Sequence, residues 1–407
     1  MRTRPGIVVL TLLVLACAGG SVHLARAAAA PHRAHAAKPQ RQPPGNVFVS
    51  PAGRDAGCTR QAPTVQAARP CATFARAYGL ARPGDTVVVA AGTYGPQQLV
   101  KRPHPSGPRV TFTCPSRRCT VEGDLQLGTG NGLVSGDAPS FLTINGIDVK
   151  GRVKTFYNGT SEPKPTHITI ENGHVWNTQS STHLVDLTSL DDVVLRNLEV
   201  GPGCCDLDGI EVGIPRVGAP SPSRIRLVHV NVHDIYDSCR LLQAQLPDTS
   251  CSGGGFESGC SSCDHVDGLQ AFGGLGLTIE RSVFDHINTG GKVAQGIFLQ
   301  SANGGRFSDI RLVGNVLGPT ANNDLSISGP GDGTVSGSVL IAHNRVGSNI
   351  RLYSRIWTPG TSIRVEGNRA REFATDPTNG CSVSLADGSS YTPLYSGNAF
   401  GNHRCHG

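Results

Sequence analysis

The chain has 407 residues, a formal net charge of +6, 5% aromatic residues and 52 glycines. Arg2, Arg4, Arg26, Arg33, Lys38 and Arg41 supply the excess charge, with no acidic residue among the first 45 positions, so the rest of the chain is close to neutral. That balance excludes the basic footprint of a nucleic-acid-binding protein, and no later stretch offers the roughly 20 continuous apolar residues of a membrane-spanning helix.

The N-terminus joins Arg2 and Arg4 to an apolar run over 7–18 and the small-residue pattern Ala25-Arg26-Ala27. This predicts a signal peptide over 1–27 and a secreted, extracellular product. Val14-Leu15-Ala16-Cys17 leaves a second outcome open, a lipid anchor on Cys17. Residues 28–45, built of Ala, Pro, His, Arg and Gln, hold too little apolar surface for a core and read as a disordered linker.

An N-terminal cap and opening coil are expected over 46–100. Asn46-Val-Phe-Val-Ser is a strand and turn. Residues 71–81 contain helix formers with a stripe of Phe74, Ala77 and Tyr78, and Pro83-Gly-Asp-Thr-Val-Val-Val is a turn into a buried strand.

From 101 to 407 the chain repeats itself. Leu142-Thr-Ile-Asn-Gly-Ile-Asp-Val149 returns as Ile168-Thr-Ile-Glu-Asn-Gly-His-Val175, Val193-Val-Leu-Arg-Asn-Leu-Glu-Val200 and Ile225-Arg-Leu-Val-His-Val-Asn-Val232, and again over 277–284, 310–317, 339–346 and 363–370. Starts are separated by 24 to 33 residues, apart from one gap of 52 between the copies at 225 and 277. Each copy opens with apolar residues at alternate positions, the mark of a strand with one buried face. A second apolar strand follows in most repeats, over 185–187, 210–212, 269–271, 297–299, 325–327, 350–352 and 383–385. One such coil cannot bury its own apolar face, so successive coils stack. The expected fold is all-β: a right-handed parallel β-helix with a short N-terminal capping helix. Asn315, Asn344, Asn368 and Asn398 fall at one equivalent position, where stacked amides form a ladder.

Val49-Ser-Pro-x-Gly-x-Asp55, Pro70-Cys-x-Thr-Phe74, Pro83-Gly-Asp-Thr-Val87 and Gly92-Thr-Tyr94 resemble the opening coil of pectate-lyase-like right-handed β-helix proteins. The resemblance runs as a repeat pattern from about residue 46 to the C-terminus. It implies the fold; because that superfamily holds polysaccharide lyases, glycoside hydrolases, epimerases and non-catalytic surface proteins, it implies no single activity.

Thirteen cysteines, twelve without Cys17, point to disulfides in an exported chain. Proximity pairs Cys58 with Cys71, Cys114 with Cys119 and Cys381 with Cys405. Cys204, Cys205, Cys239, Cys251, Cys260 and Cys263 surround an insertion over 236–264 that accounts for the long gap. They are expected to staple it to the helix wall, by bridges from Cys204 and Cys205 to the loop rather than to each other. The alternative is a zinc site of Cys204, Cys205, Cys260 and Cys263.

Beside the insertion lies the densest polar cluster: Asp206-Leu-Asp208-Gly-Ile-Glu211, Asp264-His265-Val-Asp267-Gly-Leu-Gln270, Gln295-Gly-Ile-Phe298-Leu-Gln300 and Asn323-Asp324. Alternation turns Ile210, Leu269, Ile297 and Leu325 inward. Glu211, Gln270, Phe298 and Ser326 then share the outer face, with Asp208 and Asp267 at the turn entering the strand. Catalytic candidates are Asp208, Glu211, His265, Asp267 and Lys292. Gln270, Phe272, Gln295, Phe298, Gln300, Asn323, Arg351 and Tyr353 are candidates for holding a sugar chain, and Asp206, Asp208 and Asp267 offer hard oxygens to Ca²⁺. Carboxylates one or two coils apart stand about 5 to 10 Å from each other, the range used by glycosidases. The Asp-Gly strings resemble polygalacturonase-type hydrolases, but the paired Asp-Asp and Gly-His-Gly elements of that family are missing. A lyase needs a base, for which Lys292, Arg281 and Arg351 are available. The expectation is a monomeric secreted protein that binds a polysaccharide or cell-wall glycan and cleaves it as a lyase or glycoside hydrolase. The alternative is a non-catalytic adhesive or cell-surface carbohydrate-binding β-helix.

Overall fold

The computed structural model describes residues 44–405 except 65–68, 101–105, 129–137, 156–164, 180–182, 189, 206–207, 215–219, 250–264, 292, 321, 330–332, 354, 376–380 and 402–404. The segment expected to be a signal peptide, Cys17, most of the expected linker, Asp206, Lys292, Cys251, Cys260 and Cys263 lie outside the described residues, as does the side chain of His265.

The chain winds as a right-handed parallel β-helix. Three long parallel sheets form its walls, with thirteen, eleven and ten strands, so a coil carries three strands where the sequence pattern shows two. Alternation explains the walls. In the thirteen-stranded sheet Val47, Val87, Phe112, Ile144, Ile170, Leu195, Leu227, Ile279, Leu312, Ile341 and Val365 are successive register partners. In the ten-stranded sheet Leu125, Val153, Val185, Ile210, Leu269, Ile297, Leu325, Ile350 and Phe373 are. Both columns face inward and are buried. Each strand covers the apolar face of the one beneath it, and the hydrophobic gain accumulates coil by coil at about 25 cal/mol per Å² of apolar surface.

The turn from the thirteen- to the eleven-stranded sheet puts one residue in the left-handed region in coil after coil, including Gly146, Asn172, Asn197, His229, Gly314 and Gly367. Glycine and asparagine adopt that conformation at least cost. The next position carries the asparagine ladder: Asn315, Asn344 and Asn368 each accept the backbone N–H of the coil before through Oδ1, at 3.0, 2.9 and 2.9 Å. Asn398 does the same for Asn368 at 3.0 Å, and Ser282 begins the series.

A helix, Phe74–Leu80, is N-capped by Thr73 and buries Phe74, Ala77 and Tyr78 over the first coils. The Phe74 ring stands 5.4 Å from Phe112 and 5.6 Å from Tyr94. A second helix, Cys239–Gln245, occupies the start of the insertion and packs Leu242 on Cys204, Cys205 and Tyr236.

Disulfides join Cys58 to Cys71, Cys114 to Cys119 and Cys381 to Cys405. At the insertion Cys204, Cys205 and Cys239 gather as one cluster of disulfide-bonded sulfurs, in which Cys204 is joined to Cys205. Cys205 has φ 83°, which turns the chain so that both sulfurs lie on one side, and the Cys239 Sγ sits 3.5 Å from Cys204 Sγ and 3.2 Å from Cys205 Sγ. Among the described residues no helix is long and apolar enough to cross a membrane.

Candidate active site

The outer face of the ten-stranded sheet carries an unbroken column in which Gln98, Gln126, Lys154, Asp186, Glu211, Gln270, Phe298, Ser326 and Arg351 are successive register partners. The expected outer row of Glu211, Gln270, Phe298 and Ser326 is part of it. Gln270 Nε2 donates to Gln300 Oε1 at 3.3 Å, and Arg351 Nη1 donates to Tyr353 Oη at 3.5 Å. Phe272 follows its strand, half-buried, with its N–H on Val212 O.

His183, on the strand His183–Asp186, is the residue that organises the carboxylates, and sequence reasoning missed it. Its Nε2 is bonded to Glu211 Oε2, and its Nδ1 lies 3.5 Å from Asp208 Oδ2. Burial draws the imidazole pKa down, but Asp208 and Glu211 outweigh burial and raise it to about 10. His183 is therefore an imidazolium at neutral pH, held between two carboxylates.

Asp186 is the second missed residue, and it stands directly beside Glu211 on the adjacent strand. Its Oδ1 accepts from the Thr188 N–H at 2.8 Å and the Thr188 hydroxyl at 2.5 Å. Burial, with the charge of Glu211 adding to it, nevertheless holds the Asp186 carboxyl above the usual carboxylate range. Gly213 leaves room for this arrangement. A Cβ there would stand 2.4 Å from Glu211 Oε1 and 2.6 Å from Thr188 Oγ1, so the two oxygens converge on the space a glycine leaves empty. The local sequence could have shown Asp186: once Val185 is read as inward, Asp186 must face out beside Glu211.

Other candidates hold different positions from those expected. Asp267 has no solvent exposure. Its N–H donates to Asp208 Oδ1 at 2.7 Å, and its own Oδ1 accepts the Gln295 N–H at 2.8 Å. Asp208 and Asp267 are thus rungs of a second ladder, in which each carboxylate ties down the backbone of the next coil. Burial, with the charge of Asp208, pushes the Asp267 carboxyl well up. A fully enclosed group does not touch a substrate, so Asp267 supports the site rather than acting in it. Gln295 and Asn323 are 3% and 2% exposed, and Phe298 is 8% exposed. These three wall the column and offer little surface to a sugar. Asp324, adjacent to Asn323, accepts from the Thr320 N–H, the Thr320 hydroxyl and the Ser348 N–H, and burial raises its carboxyl to about 6.

Asp206 lies outside the described residues, and the two described members of the expected donor set do not suit Ca²⁺. Asp208 and Asp267 are committed to backbone N–H groups and, for Asp208, to the His183 cation. Among the described residues the one group of three ligand atoms within 4.8 Å of one another is Cys204, Cys205 and Cys239, soft sulfurs that do not suit that ion. Of the bases considered for a lyase, Arg281 lies at the left-handed turn after the thirteen-stranded sheet, away from the column. Arg351 stands four strands along from Glu211.

No protein-family model matches the chain, and no curated protein matches it. Several solved structures share its winding. The A-module of the Azotobacter vinelandii mannuronan C-5 epimerase AlgE6 is 12% identical with a TM-score of 0.40, over 77% of this chain and 90% of that one. XylC in complex with xylose is 11% identical with a TM-score of 0.42, over 83% and 71%. PfbA, a surface adhesin of Streptococcus pneumoniae, is 9% identical with a TM-score of 0.30, over 77% and 83%. At such values nothing about the chemistry of this chain follows from them.

Proposed function

We propose that the protein binds a glycan along the outer face of its ten-stranded sheet and hydrolyses it at Asp186 and Glu211. The observation that carries this reading is a pair of carboxyls in register on adjacent strands, one of them buried against Thr188 and the other bonded to His183. Asp186, buried and beside Glu211, has its carboxyl raised above the usual carboxylate range and is placed to act as the acid; Glu211, bonded to the His183 imidazolium, is placed to act as the nucleophile. That division of labour is the one glycoside hydrolysis needs.

Asp186 gives its proton to the glycosidic oxygen as the C–O bond breaks, while Glu211 attacks the anomeric carbon and forms a glycosyl ester. Water, losing its proton to Asp186, then displaces the sugar and frees Glu211. Neighbouring parallel strands are about 4.8 Å apart, close to the carboxyl separation of enzymes that retain anomeric configuration. Retention is therefore the expected outcome. His183 holds Glu211 in place, and its positive charge offsets the repulsion between Asp208 and Glu211. The acid-rich surroundings disfavour the lyase alternative, which must bring a uronate carboxylate to this spot.

The test is a glycan panel read for reducing ends and for absorbance near 235 nm. Reducing ends without unsaturated product are expected, and Glu211→Gln should abolish them. Asp186→Asn should fall at least 100-fold on natural glycans yet keep activity on aryl glycosides whose leaving group needs no proton, given the usual 10²–10⁴-fold worth of general acid catalysis. Unsaturated product would replace hydrolysis with elimination. Binding without any cleavage would leave the carbohydrate-binding reading and remove the catalytic one.

A further inference from the structure

Resting on the glycan reading above, we infer that the cavity beside Trp176 is a subsite for an uncharged sugar ring and that the substrate is a neutral glycan. The cavity holds about 440 Å³ and is lined by residues of three successive coils, among them Glu122, Asp124, Lys150, Arg152, Trp176 and Gln179. It lies at the corner where the eleven-stranded sheet turns toward the ten-stranded one. No candidate from the sequence falls in it.

Its connection to the catalytic pair is structural. Trp176 belongs to the strand His174–Asn177, which precedes the strand His183–Asp186 in the same coil. Asp124, on the cavity wall, holds Lys154 at 2.5 Å, and Lys154 is the register partner of Asp186. A neighbouring cavity of about 510 Å³ shares Gly123 and Asp124 and continues the groove past Gln98 and Gln126. Gly151 keeps the corner open and tight: a Cβ there would lie 2.2 Å from Gly123 O.

Trp176 provides the platform. The His174 ring stacks on it at 4.4 Å and 25°, fixing the indole, and the His174 Nε2 is in turn tied to Gly201 O at 2.5 Å. A pre-fixed aromatic surface offers a sugar ring apolar contact at little entropic cost. The charges decide the class of ring. Arg152 forms a two-bond pair with Asp124 at 2.9 and 3.1 Å, and Lys150 lies 3.5 Å from Glu122. Each cation lining the cavity therefore faces a carboxylate. The two cations and two carboxylates of the lining cancel, with Lys154 behind it tied to the same Asp124, so the lining offers a uronate no cation that lacks a carboxylate, and the carboxylates of the catalytic cluster repel one. Hydroxyl groups suit such a lining because each donates to a carboxylate and accepts from a guanidinium or amide.

The chain has two tryptophans, and Trp357 is fully buried, so quenching by acrylamide reports on Trp176. Wild-type protein would be titrated with xylohexaose, cellohexaose, mannohexaose, oligogalacturonate and oligomannuronate. One of the neutral oligosaccharides should protect Trp176, and calorimetry should show about tenfold weaker binding for Trp176→Ala and near-normal binding for Trp176→Phe, the loss of a single aromatic anchor. Should Trp176→Ala fail to fold, Gln179→Ala is read in its place, with a smaller loss expected. Protection by the uronates alone overturns the substrate class. Cleavage that depends on Glu211 while Trp176 stays unprotected overturns the subsite and leaves the hydrolytic reading standing. Neither binding nor cleavage across the panel overturns both.

Discussion

His183 carries more of the local electrostatics than any other side chain of the candidate site. Its folded-state pKa, about 10, lies above the ordinary imidazole value of 6.5, so its contribution to stability is fully present below pH 6.5 and is lost as pH rises through about 10. His183→Gln should therefore flatten the fall in melting temperature between pH 7 and pH 10, and scans of both proteins across that window check it. The difference at neutral pH is on the order of a few kcal/mol, since each tenfold gain in proton affinity is worth about 1.4 kcal/mol. Gly213→Ala is the complementary test: its backbone tolerates alanine, yet the new methyl displaces Glu211. Activity should fall while the melting temperature stays within a few degrees. Glu211, Gln270, Phe298 and Ser326 are legible from alternation alone. Asp186 follows the same rule, whereas His183 shares the parity of the inward Val185 and escapes it; what gives both their meaning comes from Asp208 and Glu211 on the next coil.

At the scale of the strand and turn, two ladders tie each coil to the next, one of asparagines and one of aspartates. Asn344 is buried; its Nδ2 donates to Leu312 O and Asn368 Oδ1, and its Oδ1 accepts the Asn315 N–H. Asn344→Ala strands those partners without water, and a loss of about 2–4 kcal/mol in chemical denaturation is expected. Asp267→Ala removes a rung of the other ladder at a fully buried carboxyl whose pKa is already raised, whereas Asp267→Asn keeps an Oδ1 for the Gln295 N–H. The effect of Asp267→Ala belongs to stability and to the seating of Asp208, not to proton transfer. The asparagine series is readable because one residue type recurs at one spacing. The aspartate series reads as chemistry because Asp-Gly at a strand entrance looks alike whether its carboxylate faces solvent or binds the N–H of the coil above.

For the molecule as a whole, the periodic pattern points to the architecture before any side chain is placed, since alternation that returns every 24 to 33 residues lets each coil stack its apolar positions on those of the next. The third sheet is hidden by its shortness: segments such as Val316–Leu317 and Arg345–Val346 are two residues long and show no alternation of their own. The ends obey the same physics. Phe74 seals the first coils against Tyr94 and Phe112, and Phe74→Ala should cost about 3–5 kcal/mol, with the earliest hydrogen exchange at the strands of the first coil.

The proposed acid and base hang from separate windings, joined in register as Asp186 and Glu211. The spacing of their Cα atoms is thus set by the backbone rungs of the sheet, and rotamers only adjust the carboxyls about that ruler. Losing or gaining one residue in the turn before either strand would swing that carboxyl into the oily interior. Descendants of this chain should accordingly vary freely in what their loops contain next to this pair, and hardly at all in how many residues lead into it.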